Sequence, residues 1–175
     1  MSGVNKKLGP IPLWDYAVDL YGRAGVSEVC LDLQDRCDLD VDVLLFAVWS
    51  AAAGPGQLDA DAFRDLIRIT STWREDVLKP LRSARRASIN ASTGLAGGSA
   101  ATITDKLQAA ELAAERVELE LLEQWAGERA GGDPPADPAA AAASNMVAYL
   151  AAAGVETRAA ATGIRTLLAA AFQAG

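Results

Sequence analysis

The chain reads as all-α: a compact bundle of about six or seven helices, with one long Pro-kinked helix and an Ala-rich helical pair at the C-terminal end. Three observations predict this. Apolar residues recur at three- and four-residue spacings through most of the 175 residues. No window alternates apolar and polar side chains over more than a few positions, as a half-exposed strand would. Half the residues (51%) are hydrophobic but only 6% are aromatic, because much of the apolar content is alanine, the strongest helix former.

Residues 1–10 form a polar tail carrying Lys6 and Lys7. Pro12 suits the first turn of a helix that runs to Tyr21 and stops before Gly22. Leu13, Trp14, Ala17, Val18, Leu20 and Tyr21 share one broad side of it, and Asp15 and Asp19 the other. A second helix is expected over 27–36, with Val26, Val29, Cys30, Leu33 and Cys37 in helical register and Glu28, Asp32 and Asp35 facing away. Asp40 is placed to N-cap a third helix that ends at Gly54 and Pro55. Val43, Leu44, Leu45, Phe46, Val48 and Trp49 surround that helix almost completely, so it is the central helix or lies under a partner.

Asp59 or Asp61 opens a long fourth element, in which Phe63, Leu66, Ile67, Thr70, Trp73, Val77, Leu81 and Ala84 keep helical register to about residue 87. Pro80 lacks an N–H and clashes one turn back, which predicts a kink or short break near Asp76. The Gly/Ser-rich stretch 90–102 reads as a flexible loop. A fifth helix over 105–126 sets Leu107, Ala110, Ala114, Val117, Leu121 and Trp125 along a seam suited to a bundle or short coiled coil. Asp137 and Pro138 start an alanine-rich helix ending at Gly154, and a last helix groups Ile164, Leu167, Leu168, Ala171 and Phe172. The expected organisation is a helical core domain over 1–126, a linker over 127–138 and an Ala-rich C-terminal helical segment over 139–175.

Charge is unevenly spread. Net charge is −7 and the pI about 4.6, which opposes non-specific binding to nucleic acid or an anionic membrane. Residues 59–90 carry a net +2, with Arg74, Lys79, Arg82, Arg85 and Arg86 forming a basic patch, whereas residues 91–126 carry −4, with Glu111, Glu115, Glu118, Glu120 and Glu123. Opposite signs on either side of the loop predict an antiparallel helical hairpin with facing charges; exposed pairs of that kind contribute about 0–1 kcal/mol each.

Motifs for chemistry are scarce. There is no histidine, so the usual activation of Ser or Cys is absent, and two cysteines cannot fill a zinc sphere. Cys30 and Cys37 are two helical turns apart, about 10.5 Å, too far for a mutual disulfide, and are expected to be reduced. The run Asp38-Leu39-Asp40-Val41-Asp42 opens like an EF-hand loop, but the positions needing glycine and a bidentate glutamate hold Val43 and Trp49. A helix cap and a solvated turn account for it. The Gly94–Ser99 stretch lacks a following lysine and is no P-loop. Asp15 and Asp19 read as a polar helix face, and the tryptophans as core.

One resemblance rests on specific residues. Trp14-x-Tyr16-Ala17, then Leu20-Tyr21 with Gly25-Val26, then Leu31-x-Leu33-Gln34-Asp35, an aliphatic run ending at Trp49, and Trp73-x-x-x-Val77-x-x-Pro80-Leu81-Arg82-x-x-Arg85-Arg86 resemble a proteobacterial family of hypothetical proteins, domain of unknown function 2390. The likeness covers about residues 11–125. It implies a bacterial, helical, cytoplasmic protein and supplies no activity, ligand or catalytic residue.

The leading expectation is therefore a non-enzymatic helical interaction protein or accessory subunit. Its surface would be Trp73 with Arg82, Arg85 and Arg86, and its partner another protein or a second copy, not nucleic acid. The alternative is a small-molecule-binding or sensor module, with Trp14, Tyr21, Phe46 and Trp49 lining a pocket for a small apolar ligand. An enzyme using carboxylates alone ranks third, and convergent acids in a cleft would raise it. No catalytic, cofactor-binding or metal-ligating set, and no cofactor, is expected. The first residues show no charged-then-apolar leader, and no run approaches the ~20 apolar residues of a membrane span, so the expected location is the cytoplasm.

Overall fold

The computed structural model describes residues 11–92, 98–129 and 134–172. The polar tail 1–10, the middle of the Gly/Ser stretch and the centre of the linker lie outside the described residues. Eight α-helices and one π turn occur among those described, with no strand: α1 (Leu13–Tyr21), α2 (Val26–Cys37), α3 (Val41–Ala53), α4 (Ala60–Trp73), the π turn (Arg74–Leu78), α5 (Lys79–Ser92), α6 (Gly98–Gly127), α7 (Pro138–Ala153) and α8 (Thr157–Phe172). Since α4, the π turn and α5 run on without a loop, the bundle has seven helical segments. The Gly/Ser stretch is helical at both ends, through Ser92 and from Gly98.

Local chemistry explains the boundaries. Gly25 starts α2 at φ +79°, a conformation that costs residues with a Cβ. The carboxylates of Asp40, Asp59 and Asp137 accept backbone N–H groups of the first turns of α3, α4 and α7, and Pro138 occupies the first turn of α7. Near Asp76 the expected interruption takes the form of the π turn. Pro80 cannot donate to the Asp76 carbonyl four residues back, and the Lys79 N–H bonds instead to Arg74 O, five residues back.

The centre of the bundle is α3, whose residues from Val41 to Ala51 are all buried. An all-round apolar helix must be covered on every side, and α1, α6 and α7 supply most of the cover. Phe46 meets Trp49 and, edge-on, Trp125 of α6, with ring centroids 5.6 and 6.2 Å away. The Trp49 indole N–H is satisfied by Ile11 O at 2.7 Å. Glu123 of α6 accepts the Leu13 N–H, taking up a donor at the uncapped start of α1. Of the aromatic side chains expected to line an apolar pocket, Phe46 and Trp49 fill the interior, whereas Trp14, beneath the Arg116 guanidinium, and Tyr21 are partly buried against it.

The C-terminal helices share this core. Met146, Tyr149 and Leu150 of α7 pack with Phe63 of α4 and the α3 side chains, while α8 lies on α2, where Gly163 approaches so near Leu33 that a Cβ would sit 3.0 Å from its side chain. Arg23 donates to the Ala170 and Ala171 carbonyls, a cation at the carbonyl end of α8. Asn145 of α7 is fully buried and clamps the α3–α4 connection: it accepts the Leu58 N–H at 2.7 Å and donates to Ala47 O and Gly56 O. Asn145→Ala leaves the Leu58 N–H without a partner, and urea unfolding should show a loss of about 1–3 kcal/mol.

The hairpin of α5 and α6 is antiparallel, as the charge pattern predicts, with Arg82 opposite Glu115, Arg85 opposite Glu111 and Ser88 opposite Thr104. Its far half is open to solvent. No side chain over 83–91 or 100–110 is buried.

Candidate functional site

Buried acids converge where α3, α6 and the π turn meet. Asp40 caps α3, its Oδ1 accepting the Asp42 N–H at 3.0 Å, and this bond fixes Asp42 within the first turn. Glu118 reaches the same point from α6. Asp40, Asp42 and Glu118 are only 3%, 4% and 0% exposed, and each places a carboxylate oxygen within 4.8 Å of the others. Neither oxygen of Glu118, nor Oδ2 of Asp42, has a hydrogen-bond partner from outside the three acids.

Arginines of the π turn and α5 line the same region. Arg74, in the π turn, sets its Nε 3.1 Å from Asp40 Oδ2 and donates to Asp38 O at 2.8 Å. Arg82 of α5 bonds Glu115 Oε1 at 2.9 Å and approaches Glu111 Oε1 at 3.5 Å, and Arg85 pairs with Glu111. From α7, the Tyr149 hydroxyl accepts the Asp40 N–H at 2.7 Å. Asp40, Asp42, Glu111, Glu115 and Glu118 thus lie among Arg74, Arg82 and Arg85.

Burial sets the protonation of these groups. Removal from water, reinforced by the Asp40 and Glu115 charges, holds the Asp42 carboxyl well above the ordinary carboxylate range against the pull of Arg82 and Arg74. Glu118 is pushed up to about 10, first by burial and then by Asp40 and Asp42. Burial raises Glu115 too, though Arg82 opposes it. Acids packed this closely do not all ionise in a low-dielectric setting without cationic compensation. Burial likewise drives the Cys30 thiol up to about 12, which leaves it unreactive.

Two clefts flank Arg74. One, of about 360 Å³, is lined by Gln34, Asp35, Asp38, Lys79, Arg82, Ser83 and Arg86 as well as Arg74. The other, of about 280 Å³, opens between α4 and α7 and reaches Asp40 and Tyr149 past Thr70 and Ser71. Both mix polar and apolar surface, and neither includes Trp14, Tyr21, Phe46 or Trp49.

The residues singled out from the sequence are divided among these features. Trp73 is half-buried and donates to Ala114 O at 2.9 Å. Arg82 is buried and Arg85 partly so, both engaged with α6. Arg86, with its side chain 56% exposed, pairs with Asp35 on the surface. Asp40 does cap its helix, but the turn around Asp40 and Asp42 is interior, not solvated as the sequence suggests. The acid cluster escapes a reading based on apolar periodicity because the inward stripe of α6 runs through Glu111, Ala114, Glu118, Leu122 and Trp125, while Ala110 and Val117 of the expected seam are exposed. The available signal is the i, i+4, i+7 spacing of Glu111, Glu115 and Glu118 opposite a basic stripe of the same helical period.

No helix among the described residues is long and apolar enough to cross a membrane. No curated protein and no solved structure matches the chain. A family match covers residues 12–122, which takes in Asp40, Asp42, Arg74, Arg82 and Glu118 and stops short of Tyr149. On that match the chain belongs to the family described as protein of unknown function, DUF2390.

Proposed function

We infer that the protein is a non-enzymatic helical interaction module that assembles through the solvent-open half of the α5–α6 hairpin. The carrying observation is that this arm has no buried side chain over 83–91 or 100–110, while Ile89 and Ile103 remain about half exposed, at 47% and 54%. The exposed ends of two helices gain little stability by themselves; packing an apolar face is what fixes such elements. The occupant that best suits the arm is the same arm of a second copy, which would complete a four-helix arrangement. A two-fold contact needs a self-complementary surface. Exposed Asp105 and Lys106 offer opposite charges side by side on α6 for such an exchange. Trp73, Arg82 and Arg85 fasten the root of the arm to α6, and Arg86 presents its guanidinium at the rim.

The test is the mass in solution. Sedimentation equilibrium should show a dimer for the wild-type chain and a monomer for the Ile89→Glu, Ile103→Glu double variant, with unchanged helical circular dichroism. A wild-type monomer at high concentration, or a dimer that ignores both substitutions, overturns the reading.

A further inference from the structure

We propose that Asp40, Asp42 and Glu118 bind one hard divalent cation, of the Mg²⁺, Mn²⁺ or Ca²⁺ class, at the junction of α3 and α6. The donors are all carboxylate oxygens, which select cations of this kind over softer metals. Their mutual distances, within 4.8 Å, match the span across a coordination sphere with metal–oxygen bonds of about 2.4 Å.

The clustering of acids is not the only support. Glu118 is wholly buried, yet neither of its oxygens meets a hydrogen-bond donor from outside the three acids, and Asp42 Oδ2 is equally bare. Interior polar atoms of natural proteins are almost always satisfied, so bare acceptors on carboxylates that converge within 4.8 Å suit an electrophilic ligand.

Orientation and access are also built in. The Asp42 N–H and the Arg74 guanidinium hold the Asp40 carboxylate in place, which is the role of outer-sphere partners around a metal ligand. The cleft between α4 and α7 reaches Asp40 past Thr70 and Ser71, giving an ion a path to the edge of the cluster. This site lies at the root of the hairpin and does not depend on what the arm binds.

The experiment uses the full chain, stripped with EDTA and titrated with Mn²⁺ while free Mn²⁺ is followed by electron paramagnetic resonance. One Mn²⁺ per chain should bind, displaced by Mg²⁺ or Ca²⁺. Glu118→Gln and Asp42→Asn should each weaken binding by at least the ~10–100-fold that loss of an outer-sphere partner alone causes. Glu120→Gln, on an exposed residue of the same helix, should leave it unchanged. In the unmodified chain, bound Mn²⁺ should first broaden the amide resonances of residues 40–43 and 117–119, so the proposal stays testable if a variant does not fold. No binding at millimolar cation, binding unaltered in both variants, or broadening centred on exposed acids such as Asp61 overturns it.

Discussion

Phe46→Ala is expected to lower the free energy of unfolding by about 3–5 kcal/mol, the range for deleting a fully buried aromatic ring. The upper half of that range is the better expectation, because the surroundings are poorly able to collapse. Phe46 sits at the middle of α3 between two indoles, and each indole is held from outside. Trp49 is tied to Ile11 O, and Trp125 lies under the Arg129 guanidinium at 4.0 Å from its ring centroid. Urea unfolding followed by circular dichroism gives the number, with the slope against denaturant expected to be unchanged. Val18→Ala serves as the reference: that side chain is exposed on α1 and its loss should stay within about 0.5 kcal/mol. A Phe46→Ala cost below about 1 kcal/mol would show that the aromatic cluster is not the tightly filled centre described above.

Arg82→Met should cost about 3–5 kcal/mol, because it leaves buried carboxylates without their cation. Arg86→Met, four residues along the same helix, should cost no more than about 1 kcal/mol. The two arginines belong to one basic run and look equivalent in the sequence. Their surroundings separate them: Arg82 lies against Glu111 and Glu115 away from solvent, whereas Arg86 and Asp35 form a solvated pair. Adding Glu115→Gln to Arg82→Met should recover part of the loss, because it removes one of the stranded charges. Equal effects of the two arginine substitutions would contradict the burial of the first. The comparison also tells a structural from an associative role, since a docking surface made of both residues would lose partner affinity in both variants.

The helical plan was legible wherever a side chain has a local job. Asp40, Asp59 and the Asp137–Pro138 pair mark helix starts through the backbone donors they satisfy or spare, and Pro80 marks the interruption near Asp76. The all-round apolar character of α3 was a sound guide to its central place. Pairing at a distance was harder to read. The facing charges of the hairpin were visible as two stripes of opposite sign, but not that Arg82, Glu111 and Glu118 go inside. A periodicity argument assigns apolar residues inward, and on α6 neutralisation by arginines from α5 changes which face is buried. The role of α7 was hidden for a different reason. Its alanines look too small to build a core, yet they allow it to lie along α3 and bring Asn145 and Tyr149 into bonding range.

That placement of α7 bears on synthesis at the ribosome. The helix that covers α3 ends one hundred residues after it, at Ala153 compared with Ala53. At a translation rate of about 5–20 residues per second, roughly 5–20 s pass between the emergence of the most apolar helix and that of its cover. During that interval α3 is an exposed greasy rod in the nascent chain, a ready client for holdase chaperones. Nascent fragments released before α7 has emerged would clump even though they already contain every residue of the acid cluster.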